Sequence, residues 1–102
     1  METIDIIERI SKLRLRANLS ARKLSMLIDK NESYIAGLES RRDFLPPLDV
    51  LLEIIKVCNS DPMEFFHYSF EEYQTDKKFL ELLRNATPAA KAAALNVLQL
   101  KW

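Results

Sequence analysis

Residues 20–39, SARKLSMLIDKNESYIAGLE, have the pattern of two short helices joined by a tight turn. Each half has one apolar side, because large aliphatic residues recur at three- or four-residue spacing: Leu24, Ile28, Ile35 and Leu38. Ser25 follows Ala21 by one helical turn, and small residues at such positions permit two helices to cross closely. The stretch therefore predicts two helices that share a small core.

Two polar residues mark the connection between these helices. Asp29 is one of the few non-glycine residue types that adopt a left-handed backbone at modest cost, as a tight turn requires. Asn31 can then accept a hydrogen bond from an unpaired backbone amide and so cap the second helix, which we expect over residues 31–40.

Two helices joined in this way form the reading unit of a DNA-binding helix-turn-helix. Five cations flank the unit where such domains meet the DNA backbone, and we expect them to contact phosphates: Arg22, Lys23, Lys30, Arg41 and Arg42. The alternative interpretation is that they are ordinary solvated surface charges.

The rest of the chain predicts a small all-α protein. It has 102 residues, of which 48% are hydrophobic and 29% charged, with one glycine and four prolines to interrupt helices. Apolar spacing predicts a first helix over 4–17, and Pro46-Pro47 and Asp61-Pro62 precede a fourth and a short fifth helix. Phe65 and Phe66 of the fifth helix are expected to cover the core rather than to stack on bases.

The net charge argues against strong, nonspecific binding to nucleic acid. It is zero overall, and the halves differ only slightly. Residues 1–45 carry nine Lys or Arg against seven Asp or Glu (+2), and residues 46–102 carry six against eight (−2).

Residues 68–102 are expected to form a helical tail. Thr87-Pro88 is a helix-start signal, and the alanine-rich segment after it has two apolar faces, more than a small monomer can cover. We interpret it as a dimerisation element with Leu95, Leu98 and Trp102 on one face, and hence expect a homodimer; the alternative is a purely intramolecular role.

Several functional classes are not expected. No apolar run is long enough for a membrane span, and acids near the N-terminus do not suit a signal peptide, so we expect a cytoplasmic protein. Cys58 is the only cysteine and His67 the only histidine, which favours no metal site, no cofactor and no enzyme activity.

The order of these motifs resembles the phage-repressor and Cro (Xre-type) helix-turn-helix family. The likeness covers about residues 6–66: L-S-x-x-x-L, a turn, N-x-S-Y-I-x-x-L-E, a basic loop, L-x-x-L-L-x-I-x-K and D-P-x-E-F-F. It implies a five-helix lambda-repressor-like domain over residues 4–67 with a C-terminal helical extension. It also implies that the second helix of the motif enters the major groove of double-stranded DNA.

The resemblance assigns roles by position. Glu32, Ser33 and Gly37 would face the bases, and Asn31 and Tyr34 would lie near the DNA backbone or thymine methyl groups. Arg14 and Glu39 match an ion pair of the family that joins the first helix to the recognition helix, and we expect it to be structural. Three residues depart from the family pattern: Asp29, Ala21 and Arg41. We expect these differences to affect the affinity for DNA more than the fold.

Two functions remain open at this point. The first is a sequence-specific transcriptional regulator, a repressor by analogy, that binds DNA as a dimer. The alternative is a protein-interaction module on the same fold, such as an antitoxin that binds a toxin, or a complex subunit, with weak or no DNA binding. Glu32, Ser33 and Gly37 include none of the side chains that read bases most strongly, which favours the alternative.

Overall fold

The computed structural model describes residues 1–67 and 69–100, and that part is helical with no strand, which confirms the all-α prediction. The helices are α1 (Thr3–Arg16), α2 (Ala21–Leu27), α3 (Tyr34–Arg41), α4 (Leu48–Val57), α5 (Pro62–Phe65), α6 (Tyr73–Arg84) and α7 (Pro88–Leu98). The backbone divides into two compact units: an N-terminal unit, residues 1–66, and a C-terminal unit, residues 67–102. None of the described helices is long and apolar enough to cross a membrane.

The N-terminal unit is organised around one aliphatic core. Helix α1 packs against α3 and α4, α2 packs against the same two helices, and α4 packs against α5. The fully or nearly buried apolar side chains are Ile7, Ile10, Leu13, Leu24, Ile28, Ile35, Leu38, Val50, Leu51, Ile54, Ile55, Cys58 and Phe65. Burial of this apolar surface is the main favourable term that holds the five helices together.

Phe65 and Phe66 have different environments. Phe65 is completely buried, whereas 46% of Phe66 is exposed and its ring meets the Phe65 ring edge-on at 5.0 Å. The prediction that both rings cover the core is therefore wrong for Phe66. Phe66 is the C-cap residue of α5, and its side chain points in a different direction from that of Phe65.

Three helices of the N-terminal unit end in the same way. Asn18, Asp29 and Asn59 follow α1, α2 and α4 with φ of 58°, 56° and 59°, in the left-handed region. After α2, the Asp29 amide donates to the Met26 carbonyl and the Lys30 amide to the Ser25 carbonyl, a Schellman cap. The predicted left-handed turn at Asp29 is confirmed, and it gives the connection to α3 its sharp direction.

Local caps also define the later helices. Asp61 accepts a hydrogen bond from the Glu64 amide before α5, and Thr87 accepts one from the Ala90 amide before α7, both as predicted. Helix α6 begins at Tyr73. The Glu72 amide donates to Ser69 Oγ, which supports the chain just before this helix.

Candidate nucleic-acid interface

The Ser25 side chain joins α2 to α3. It is completely buried, and its hydroxyl donates to the Ala21 carbonyl at 2.8 Å and accepts from the Ile35 amide at 3.0 Å. Ile35 lies in the first turn of α3, where backbone amides have no acceptor within their own helix. Ser25 therefore caps α3 from the preceding helix, a role that its small size alone did not reveal.

Helix α3 begins at Tyr34, so the predicted start at Asn31 is wrong. Asn31 Oδ1 accepts hydrogen bonds from the amide and the hydroxyl of Ser33, at 2.9 and 2.7 Å, and the Tyr34 amide donates to the Asn31 carbonyl. The Asn31 side chain thus closes a local turn over its own backbone instead of capping a helix. Residues 31–33 form a turn, with Ser33 in the N-cap position.

Arg14 and Glu39 form the predicted ion pair between α1 and α3. Two parallel contacts join them, Arg14 Nε to Glu39 Oε2 at 2.9 Å and a terminal nitrogen to Oε1 at 2.8 Å, and both side chains are mostly buried. Arg14 also donates to the Leu19 carbonyl. The hydrogen bond to Glu39 raises the pKa of Arg14, and the charged, two-pronged contact fastens α3 to α1.

The outward side of α3 carries little side-chain volume. Ser33, Ala36, Gly37 and Ser40 share this side by their spacing, and all but the partly covered Gly37 are exposed. A β-carbon at Gly37 would meet nothing within 4 Å, so the fold does not require glycine there. Sequence reasoning named Ser33 and Gly37 and missed Ala36 and Ser40, which a helical count from Ser33 would have found.

Glu32 is held by an ion pair. Its Oε2 lies 3.1 Å from Arg22 Nε, and the two side chains are 63% and 70% exposed. The structure thus pairs Glu32, which we expected to face the bases, with Arg22, which we expected to contact a phosphate.

The two arginines after α3 also meet carboxylates. Arg41 lies 3.6 Å from Asp43, with its guanidinium over the Phe44 ring at 5.0 Å. Arg42 lies 3.4 Å from Glu8 and has a left-handed backbone, with φ of 62°. These exposed pairs reduce the net positive charge at the end of α3.

The remaining cations of the predicted set are lysines. Lys23 is exposed in the first turn of α2, where its amide donates to the capping hydroxyl of Ser20. Lys30 lies in the turn with its ammonium 5.5 Å from the centre of the Tyr34 ring. Burial and the charge of Asp49 raise the pKa of Tyr34 further above neutral pH, where the phenol already keeps its proton.

Two of the three residues assigned to dimerisation, Leu95 and Leu98, belong to helix α7 of the C-terminal unit. Leu95 and Leu98 are more than half exposed and line a groove of about 450 Å³ between α6 and α7, with Leu83, Ala94, Arg84 and Lys91. No residue of α7 is buried. Trp102 lies outside the described residues.

The described residues contain no cluster of three or more His, Cys, Asp or Glu side chains that could hold a metal ion. Cys58 is a free, buried thiol, and burial raises its pKa, which disfavours the reactive thiolate.

Comparison with protein-family models, curated proteins and solved structures finds no significant match.

Replacing Ser25 with alanine is expected to lower the free energy of unfolding by about 1–3 kcal/mol, because it leaves the Ile35 amide buried without an acceptor. Ser40→Ala is the matched control, since this exposed hydroxyl makes only a 3.3 Å contact with the Gly37 carbonyl. Urea unfolding of both variants measures the difference. Equal losses would contradict the role of Ser25.

Proposed function

We propose that this protein is a sequence-specific DNA-binding regulator, a repressor by analogy, with a lambda-repressor-like N-terminal domain of the phage-repressor and Cro (Xre-type) kind. The observation that carries the proposal is the outward side of α3. The helix is held from behind by Ile35, Leu38 and Ser25, and it turns small side chains outward, with open space at Gly37.

Such a helix suits the major groove, which is about 12 Å wide in B-DNA and admits one α-helix. Glycine in a helix interior lowers stability by about 0.5–1 kcal/mol relative to alanine. Gly37 has neither a positive φ nor a crowded surrounding that would explain this cost within the fold. Close approach of α3 to base edges supplies the missing reason.

The cations support phosphate contact on both sides of α3. Lys23 and Lys30 lie at the start of α2 and in the turn, and Arg41 and Arg42 lie at the end of α3. Their exposed ion pairs and ring contacts are individually weak, so phosphates can replace them. DNA binding of this kind implies a cytoplasmic protein.

We further propose that the protein binds DNA as a homodimer assembled by its C-terminal unit. The α6–α7 groove is lined mainly by aliphatic side chains, and Leu95 and Leu98 remain exposed in one chain. A second copy would cover this surface and place two reading helices on one duplex, as symmetric DNA sites require.

A second candidate is the protein-interaction module. Arg22, Arg41 and Arg42 each have a carboxylate partner, and the chain has no net charge. A surface neutralised in this way attracts DNA weakly, whereas a protein partner such as a toxin does not need a positive field.

The salt dependence of binding to duplex DNA tests the first proposal. Replacing Arg41 and Arg42 with alanine is expected to reduce the slope of log affinity against log salt by about two per bound subunit, and so by about four for a dimer, since each phosphate contact releases about one counterion. Lys77→Ala with Lys78→Ala is the control, because it removes the same charge from the C-terminal unit and should leave the slope unchanged. An absence of binding at low salt would favour the interaction module.

Gly37→Ala is expected to separate stability from binding. The variant should raise the free energy of unfolding by about 0.5–1 kcal/mol, because alanine is the better helix former and its methyl group has room. It should also weaken DNA binding, because the methyl group holds the α3 backbone away from the base edges. Urea unfolding and fluorescence anisotropy on the same samples measure both effects, and unchanged affinity would place Gly37 outside the interface.

Leu98→Lys is expected to abolish the dimer, because a charged ammonium group would have to enter an apolar interface. Val97→Lys is the matched control: Val97 is exposed to a similar extent, 55% against 60%, but does not line the groove. Sedimentation over a concentration series distinguishes the two variants. A wild-type protein that is monomeric at every concentration would exclude this mode of assembly.

A further inference from the structure

The ion pair between Arg22 and Glu32 differs from the exposed Arg41–Asp43 and Arg42–Glu8 pairs near the end of α3. The Glu8–Arg42 and Asp43–Arg41 pairs use carboxylates of α1 and of the loop after α3, to which no base contact is assigned. Glu32 lies in the turn immediately before α3, next to Ser33. Its carboxylate is therefore within the segment proposed to read bases.

Arg22 and Glu32 bring two different functions to one contact. Arg22 lies in the first turn of α2, on the side proposed to meet phosphate, and Glu32 begins the base-facing segment; their side chains meet at 3.1 Å. While the pair is closed, the guanidinium is engaged by a carboxylate and the carboxylate is shielded from DNA. Both side chains are more than 60% exposed, and ion pairs this exposed are weak enough to exchange partners.

The chemistry of a carboxylate limits what Glu32 can accept once it leaves Arg22. An ionised carboxylate has acceptors only, and in the major groove the amino groups of cytosine and adenine are the donors. The adenine amino group lies beside the N7 acceptor, whose lone pair repels a carboxylate. The cytosine amino group has an acceptor on one side only, O6 of the paired guanine, and a C–H on the other, and Glu32 therefore favours cytosine.

We propose that DNA binding opens the Arg22–Glu32 pair, so that Arg22 moves to a phosphate while Glu32 accepts a hydrogen bond from a cytosine amino group. This inference rests on the proposed DNA-binding function and names the base that one residue selects. On a site without cytosine at this position, an open pair would leave the Glu32 carboxylate facing acceptors and phosphates. The pair then stays closed, and Arg22 contributes nothing to affinity.

The two outcomes of the exchange make Glu32 a selectivity residue rather than a source of affinity. Glu32 makes a favourable hydrogen bond only with cytosine. With any other base at this position the ion pair stays closed, so the complex also lacks the contact between Arg22 and a phosphate. The Glu8–Arg42 pair provides a comparison, since removal of the Glu8 carboxylate frees an arginine without changing a base contact.

Selection from a pool of randomised duplexes, followed by sequencing of the bound fraction, tests the base preference. The wild-type protein should enrich cytosine at one position of each half-site, and Glu32→Gln should enrich adenine at the same position, because a glutamine amide pairs with adenine N6 and N7. Glu32→Ala should lose the preference there. Glu8→Gln is the matched control and should enrich the same sites as wild type.

These outcomes separate the inference from the proposed function. If wild type, Glu32→Gln and Glu32→Ala enrich identical sites, Glu32 does not select the base, although DNA binding itself stands. If neither wild type nor Glu8→Gln retains any duplex, the proposed function fails and the selectivity of Glu32 fails with it. Unchanged unfolding temperatures are expected for the Glu32 variants, because the pair is exposed.

A double-mutant cycle tests the exchange itself. Arg22→Ala should lower the affinity for a duplex with an A·T pair at this one position less than about twofold in the wild type, because Glu32 holds Arg22 there. The loss should be about fivefold in the Glu32→Ala background, where Arg22 is free to bind phosphate. The same effect of Arg22→Ala in both backgrounds would overturn the exchange.

Discussion

The arrangement of the candidate interface depends on one buried hydroxyl. Ser25 donates to the Ala21 carbonyl within α2 and accepts from the Ile35 amide of α3, so two helices share one side chain at their crossing. A larger residue would separate the helices, and alanine would leave the Ile35 amide unpaired in the core. The Schellman cap at Asp29 and the Arg14–Glu39 fork then fix the direction in which α3 leaves this contact.

The electrostatics of the surface set a limit on how such a motif can work. The arginines that flank α3 are matched by nearby carboxylates, and the whole chain is neutral. Long-range attraction to phosphate is therefore weak, and any affinity for DNA must come from short-range contacts that replace existing ion pairs. A protein of this kind would bind random DNA poorly, and it would depend on base contacts to an unusual extent.

The helix ends show which features of the structure can be predicted from a few neighbouring residues. Ser20, Asp61 and Thr87 cap the helices that their positions predict, because a cap involves amides only two or three residues away. The capping prediction for Asn31 failed because its side-chain oxygen accepts hydrogen bonds from the nearby amide and hydroxyl of Ser33. Whether such a residue closes a turn or starts a helix depends on whether another side chain already accepts from the first amides of that helix.

The sequence by itself determined the helical class, the core positions of α2 and α3 and the turn at Asp29, because apolar periodicity and left-handed caps act within one or two helical turns. It also placed Arg14 opposite Glu39, through resemblance. Only the tertiary structure decided that Ser25 caps α3 and that Arg22 holds Glu32. These contacts join residues ten positions apart across a turn, and their geometry exists only after α2 and α3 have packed together.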